Sequence, residues 1–574
     1  MILVAYAALA LLLQTGVRGA PFTASPAHKR FVHLTDIHYD PLYVSGADTR
    51  TQCHRRTEDS QGTDKAAHYG TRGSNCDSPF PLVSEVFAAI RNDIQKDSPV
   101  DVVFLTGDSS RHDRDSLVEK EASEVYSQNA EVVYHIDKTF DLTKTTVIPS
   151  IGNWDVSPHN MLPEPKYASD AFANLYSVWR PLLESGLSES EVNSTKQTFL
   201  SGGYFDRVIG QVNGEITVRA ISLNTLYFFA ENTAVDDCEI TENTGAVVQL
   251  SWLEEKLTHA RQQNEKVVII GHVPPIDHND NPLYKPNCLR LFLQTIGDHA
   301  EVVLSQFYGH INKDVIYLLT RQGDESIDPR KPSTYALNAV TPKTVIDLQK
   351  QNRTILSVSQ TSSSILPVHN TGVKAGVISI RPHDTHIMRE SQWFIDIVRA
   401  NDKFASSPGQ PSVSPITFKE ACKTDDDYKM QDLKPRSYQE WLKRLHDEAK
   451  LDLTLDDVEL KAGKGKKPRS QILKKYGYCM DALEKQPHPP PDNHLSLSPA
   501  VVRAVLISAT VVFVGLMVAF YFFVQYLEKD GDVLERQRLF FRPVESNRGR
   551  DNFTPGPSSR PRVNFRTFLS PTSG

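Results

Sequence analysis

Between about residues 30 and 400 the chain alternates short apolar runs with longer amphipathic stretches. The runs Phe31–Thr35, Val100–Thr106, Thr146–Ile151, Lys266–Ile270 and Val302–Phe307 each end in a cluster of polar residues. Runs of this length bounded by turn formers predict strands. The longer patterns Leu82–Gln95 and Leu250–Gln263 predict helices that lay an apolar stripe on a sheet. The alternation predicts an α/β or layered α/β sandwich domain, and no internal repeat is visible. After about Ala400 the pattern changes. Tyr428–Leu460 is charged and helix-prone, Lys461–Arg469 is a basic loop containing glycine, and Gln486–His494 reads as an extended proline-rich stalk.

Two apolar segments lie outside that alternation. Ala504–Phe523 runs for 20 residues without a charge, between Arg503 and Glu528-Lys529-Asp530. A membrane span takes about 20 such residues, so a single-pass anchor is predicted. Met1–Leu13 is shorter and is followed by the small-residue stretch Gly16–Ala20, which predicts a signal peptide, with an N-terminal anchor as the alternative. The expected order is a signal peptide or anchor at 1–20, a catalytic domain at 30–400, a helical basic appendage at 401–485, a stalk at 486–503, a transmembrane helix at 504–526 and a disordered tail at 527–574.

On that reading the large domain faces a secretory or vacuolar lumen, where disulfides persist. The six cysteines, Cys53, Cys76, Cys238, Cys288, Cys422 and Cys479, include no CxxC pair, which favours three bridges over a zinc ribbon. Neighbours in sequence suggest Cys53 with Cys76, Cys238 with Cys288 and Cys422 with Cys479, and other connectivities stay open. Asn193-Ser-Thr and Asn352-Arg-Thr are sequons suited to a lumenal surface. The 574 residues leave room for a full catalytic core plus accessories. Lys and Arg number 63 against 70 Asp and Glu, a net charge of −7, which argues against broad nucleic-acid binding but is compatible with a local basic groove.

The strand ends carry the candidate chemistry. Asp36-Ile-His38 places a carboxylate and an imidazole two residues apart, on one face of an extended chain, where both can grip one ion. Gly107-Asp108 follows, with His112 four residues on, then Gly152-Asn153-Trp154-Asp155, Gly271-His272 and Gly309-His310-Ile311-Asn312. Taken singly, each is an ordinary turn or a hydrogen-bonded histidine. In this order, each after a hydrophobic strand, they argue for one site.

The ordered set resembles the calcineurin-like metallophosphoesterases, whose motifs are DxH, GD, GN, GH and GHxH, over roughly residues 30 to 390. The resemblance implies a sandwich of two mixed β-sheets flanked by helices, with a two-metal site. Asp108 would bridge both ions. Asp36, His38 and Asn312 would complete one, and Asn153, His272 and His310 the other. Oxygen and imidazole ligands without thiolate suit Mn, Zn, Fe, Co or Mg. Asn312 stands where the wider family has His. Trp154 stands where it usually has the His that assists the leaving group, and His112 is the available substitute, at a position that also carries His in acid-sphingomyelinase-like members. The segments Phe31–Tyr43, Leu105–Asp115, Gly152–Asn160, Leu223–Phe229 and Gly309–Asp314 look like those of fungal vacuolar endopolyphosphatases, which share the GDSxRHD and GHxN variants. That branch implies a vacuole-membrane enzyme with its catalytic domain in the lumen, cutting internal phosphoanhydride bonds of long-chain inorganic polyphosphate.

Two cations bridged by Asp108 would activate a shared water and neutralise phosphoryl charge. His112 is the candidate general acid, and Arg111 and Arg114 are candidate phosphate clamps, with a solvated loop as their plain alternative. The basic stretch Lys461–Lys467 is a candidate for holding further phosphates, or simply a solvated charge run. Asp77, Asp113, Asp155, His159 and Asp314 are expected to orient the ligands. The rival readings are a sphingomyelinase-like or nucleotide phosphodiesterase, which an apolar access surface would favour, and an inert anchored receptor or scaffold, which the complete ligand set argues against.

Overall fold

A computed structural model of the chain describes residues 27–57, 64–212, 214, 216–322, 334–351, 353–406 and 416–449. Its strands are β1 (Ala27–Leu34), β2 (Val102–Leu105), β3 (Thr146–Pro149), β4 (Phe205–Val212), β5 (Ile216–Ser222), β6 (Lys266–Ile270), β7 (Val303–Tyr308), β8 (Ile316–Gln322), β9 (Thr334–Ala339), β10 (Ile355–Thr361), β11 (Gly372–Ile380), β12 (His386–Phe394) and β13 (Lys419–Lys423). They form two mixed sheets, ordered β13-β12-β11-β1-β2-β3 and β4-β5-β6-β7-β10-β8-β9. The five apolar runs of the sequence correspond to β1, β2, β3, β6 and β7. β1, β2 and β3 are mutually parallel in the first sheet, as are β5, β6, β7 and β10 in the second. Parallel strands at the centre of each sheet need both faces covered, which explains their continuous apolar character.

The core lies between the sheets. Phe31 and Phe104 from the first sheet meet Phe307 of the second, with ring centroids 5.2 to 5.4 Å apart. Helices cover the outer faces. Phe80–Ala89 carries Leu82, Val83, Val86 and Phe87 inward, the i, i+3, i+4 stripe that an amphipathic helix requires. The expected helix Leu82–Gln95 does not run through as one α-helix: Ile90–Ile94 widens into a π turn, with Gln95 N–H donating to the Ile90 carbonyl at 2.9 Å. The expected helix Leu250–Gln263 belongs to the longer Gly245–Gln263, capped at its start by Thr244.

The region beginning at 401 differs from a free-standing appendage as far as it is described. β13 is the edge strand of the first sheet, paired with β12. The helix Pro435–Ala449 packs on β10 and on the helix Pro342–Lys350, burying Tyr438, Trp441, Leu442 and Leu445 along one stripe. An apolar stripe of that period needs a partner, and the second sheet supplies it. Among the described residues no helix is long and apolar enough to cross a membrane. The predicted signal peptide, basic loop, stalk, membrane span and tail lie outside the described residues, as do Asn352 and Cys479. Asn193 is exposed on the helix Glu189–Gly202. Cys53–Cys76 and Cys238–Cys288 are disulfides, and Cys422 is also disulfide-bonded.

Candidate metal centre

Strand direction gathers the site. The five motifs follow the C-terminal ends of β1, β2, β3, β6 and β7, so parallel pairing within each sheet delivers them to one edge. Two hydrogen bonds sew the edges together: His310 N–H donates to Asp36 Oδ2 at 2.9 Å, and His272 Nδ1 reaches the Thr106 carbonyl at 2.6 Å. Asp36, His38, Asp108, His310 and Asn312 all have φ between 45° and 68°. Left-handed backbone is uncommon outside glycine, and Asp, Asn and His are the side chains that enter it most readily. Such sharp turns aim consecutive polar groups into one small volume, and strained conformations of this kind cluster at functional sites. The glycines before the ligands allow the close approach. A Cβ on Gly152 would collide with the Asp108 backbone and carboxylate, and one on Gly309 with Thr35 Oγ1 and Asp36 Oδ2.

Asp108 divides its two oxygens. Oδ1 accepts from the Trp154 N–H at 2.8 Å, while Oδ2 lies 3.4 Å from His38 Nε2 and 3.1 Å from His272 Nε2. One carboxylate oxygen is thus common to two ligand groups. On one side stand Asp36 and His38, with Nε2 of His38 3.8 Å from Asp36 Oδ1. On the other, Asn153 Oδ1 lies 2.8 Å from His272 Nε2 and 3.0 Å from His310 Nδ1. Ligands bound at about 2.1 Å to one small cation sit about 3 Å from each other, so these spacings suit a shared ion. The hydrogen bonding agrees. The Asn153 oxygen faces only acceptor atoms, and among the described residues the buried Asn312 Oδ1 has no hydrogen-bond partner. Clustered acceptors of this kind are costly unless a cation satisfies them. The residues therefore fit two divalent ions.

The groups behind the ligands set their tautomers. His38 Nδ1 and His272 Nδ1 meet the backbone carbonyls of Ser110 and Thr106 at 3.0 and 2.6 Å, which leaves Nε2 as the acceptor on the ion side. Asp155 accepts from the N–H groups of Asp108, Ser109 and Gly152 at 2.8 to 3.0 Å, binding the second motif to the third. Burial lowers the His272 pKa, but the charge and hydrogen bond of Asp108 outweigh it and lift the ring to about 9. Burial raises that of Asp108, but His272 and His38 hold it well below the carboxylate range. Burial and the neighbouring His272 push His310 down to about 4.

His112 stacks on His38 with centroids 4.0 Å apart and turns its edge to Trp154. Asp77 grips it twice, accepting from the backbone N–H and from Nδ1, each at 2.6 Å. Burial depresses the His112 pKa to about 4 despite Asp77. Asp77 follows Cys76, whose disulfide to Cys53 also fixes His54. That ring bridges Asp40 at 2.9 Å and Asp115 at 2.7 Å, while Arg55 Nη2 pairs with Asp115 at 2.9 Å. The loop carrying Asp108 and His112 is thereby pinned at both ends.

Arg111 is placed differently from the expected phosphate clamp. It is fully buried, with Nε 3.1 Å from Glu124 Oε2 and Nη1 donating to the His112 carbonyl at 3.0 Å. The N-terminal turn of the helix Ala122–Thr139 covers it, so the guanidinium braces the loop instead of facing substrate. Arg114 is exposed, close enough to His112 to depress its pKa, and remains available to an anion. Asp113 and His159 pair at the rim at 3.2 Å, with His159 stacked on Trp154. Asp314 lines a cavity of about 30 Å³ together with Lys374 and Glu390. Lys120, which no motif announced, crosses from the second motif to the third, donating to the Arg111 and Trp154 carbonyls.

Residues 29–314 match the calcineurin-like phosphoesterase family. The chain is 30% identical over 327 residues to an endopolyphosphatase of Neurospora crassa, covering 54% of this chain and 42% of that protein. It is 33% identical over 296 residues to an endopolyphosphatase of Candida glabrata, covering 50% and 41%. The chain thus spans less than half the length of these fungal relatives. It is also 27% identical over 428 residues to a cyclic GMP-AMP phosphodiesterase of Bos taurus, covering 74% of this chain and 81% of that protein.

Proposed function

We propose that this chain, a member of the calcineurin-like phosphoesterase family through residues 29–314, is a metal-dependent endopolyphosphatase that hydrolyses phosphoanhydride bonds inside long-chain inorganic polyphosphate. The observation that carries the reading is the Asp108 oxygen common to two ligand groups, in a chain similar to several fungal endopolyphosphatases. Two divalent ions held there, of Mn, Zn, Co, Fe or Mg, would supply Lewis-acid neutralisation of phosphoryl charge and a nucleophilic water at neutral pH. The ligands on the first side are Asp36, His38, Asp108 and Asn312, and on the second Asp108, Asn153, His272 and His310.

Asp108 sets the spacing of the two ligand groups because its other oxygen is tied to the Trp154 backbone. His112 is the candidate proton donor to the departing phosphate: Asp77 holds its Nδ1 and leaves Nε2 as the free ring nitrogen, and because burial depresses the ring to about 4, Nε2 carries a proton only in an acidic medium or once an anionic substrate beside it raises that value. A polyphosphate leaving group is already stable, so His112 contributes more by orienting the anion than by protonating it. Arg114 takes a phosphoryl oxygen beside the site. Membrane anchoring by residues 504–526, with the catalytic domain in a vacuolar lumen, is part of the proposal. The disulfides and the exposed Asn193 sequon support an oxidising, glycosylating route.

A second reading has an observation of its own. The cyclic GMP-AMP phosphodiesterase relative aligns over more of both chains than the endopolyphosphatases quoted above, and Trp154 with His159 makes an aromatic wall beside His112. Parallel assays on the purified, metal-loaded protein decide between them. Turnover of polyphosphate well above that of a cyclic dinucleotide and of bis-p-nitrophenyl phosphate supports the proposal, and the reverse order replaces it with a phosphodiesterase.

A further inference from the structure

The orientation of one ligand is set from outside the ligand cluster. Asn153 has two unlike ends, and only its oxygen can hold a cation. Which end faces the site is decided by what the other end meets. Asn153 Nδ2 donates to Asn160 Oδ1 at 2.9 Å, and Asn160 Nδ2 donates to Glu231 Oε2 at 3.0 Å. The polarity of this chain starts at Glu231, because an ionised carboxylate can only accept. It draws the NH₂ end of Asn160 outward and leaves the Asn160 oxygen facing inward. That oxygen in turn draws the NH₂ end of Asn153, and the Asn153 oxygen is left among His272, His310 and Asp108.

The opposite orientation is a real competitor. Turned over, the Asn153 NH₂ would donate to His272 at 2.8 Å, to His310 at 3.0 Å and to Asp108 Oδ2 at 3.3 Å, and the Asn153 oxygen would accept from Trp154 Nε1 at 3.2 Å, so the relay has to outweigh that indole N–H as well. Without a cation the cluster would be satisfied that way, and the Asn153 oxygen would be lost as a ligand. The cost falls at Asn160, where two amide oxygens would then stand 2.9 Å apart. Asn160 cannot relieve this by turning over itself, because its oxygen would then face Glu231. Its backbone is fixed as well, with φ of 65° and its N–H on the Asn153 carbonyl at 3.0 Å.

We propose that Glu231 and Asn160 form a polarity relay that keeps the Asn153 oxygen on the ion side, making both of them positioning residues for the ion bound by Asn153, His272 and His310. The inference rests on the two-ion reading of the cluster and goes beyond it, since neither residue touches an ion position. Loss of a group that orients a metal ligand weakens metal binding by about 10–100-fold.

The test measures Mn²⁺ alone, on the purified full chain, by equilibrium dialysis and chelator competition, without reference to activity. Wild-type protein should bind two Mn²⁺. Asn160→Leu should weaken one of the two by about 10–100-fold and leave the other unchanged. Asn160→Asp still accepts from Asn153 but sets two carboxylates together, so it should also weaken that site. Asn160→Asp combined with Glu231→Gln should restore it, because the new amide at 231 can donate to the carboxylate at 160, which still draws the Asn153 NH₂. Glu231 is exposed, so its replacement leaves the core intact, and this pair carries the test even if Asn160→Leu does not fold. Wild-type affinity in Asn160→Leu, or a double variant no better than Asn160→Asp, overturns the relay. Fewer than two Mn²⁺ on the wild type overturns the two-ion reading itself.

Discussion

Replacing Arg111 with Met separates a brace from a clamp. The substitution keeps most of the side-chain volume and removes the charge from a residue with no exposed surface. Lost with it are the contacts to Glu124 at 3.1 and 3.3 Å and the bond to the His112 carbonyl at 3.0 Å. Breaking a buried pair from one side costs about 3–5 kcal/mol when the remaining charge is trapped. Here the remaining charge is Glu124, whose side chain is 27% exposed and can turn to water. The expected destabilisation therefore falls to about 2–3 kcal/mol. Urea unfolding of the metal-loaded protein should show it as a lower midpoint at unchanged slope. Because the lost bond ends on the His112 carbonyl, kcat for polyphosphate should fall while KM holds. Arg114→Gln supplies the contrast: stability within about 0.5 kcal/mol of wild type and a raised KM. An Arg111→Met protein with wild-type stability and a raised KM would refute the brace and restore the clamp.

Asp108→Asn should abolish turnover and lower bound metal below two ions while the far-ultraviolet spectrum stays native, which metal analysis beside circular dichroism will show; full metal content would contradict the shared oxygen. Gly309→Ala places a methyl against Asp36 and Thr35, so metal at the Asp36 side should be lost first, and unchanged binding there would mean that the loop yields freely. His54 gives a pH signature. Burial lowers its pKa, but Asp40 and Asp115 together raise it above the usual 6.5. A raised folded-state value stabilises below about 6.5 and is lost as pH climbs through the raised value. The melting-temperature advantage of wild type over His54→Gln should accordingly be largest below about pH 6.5 and shrink as the pH rises above it, and a constant gap would remove His54 as the source.

The strands bearing the ligands were legible because each is a short apolar run that stops at its motif. Pairing and direction within the sheets then bring Asp36, Asp108, Asn153, His272 and His310 to one edge. What the sequence hid was whatever depends on distant chain. Arg111 sits among charged neighbours and reads as solvated or substrate-facing. Its burial comes from the helix Ala122–Thr139 folding over it, which no local pattern states. Asn160 looks like a turn residue, as its φ of 65° agrees, and its second role needs Glu231, 71 positions away. Lys120 bridges two backbone carbonyls and carries no motif at all. The change of composition after 401 suggests a separate appendage. Yet β13 continues a sheet, and the stripe from Tyr438 to Leu445 finds its partner on β10. The bridges Cys53–Cys76 and Cys238–Cys288 fit the simplest rule, neighbours in sequence, with separations of 23 and 50 residues.

The central claim concerns where the chain of phosphates is cut. The most direct measurement is a gel time course of long-chain polyphosphate incubated with the metal-loaded protein, with Asp108→Asn alongside. Fragments of intermediate length that appear before free phosphate, and are absent with Asp108→Asn, are the predicted result. Free phosphate released while the remaining chains stay long, or chains left intact by the wild-type protein, would contradict it.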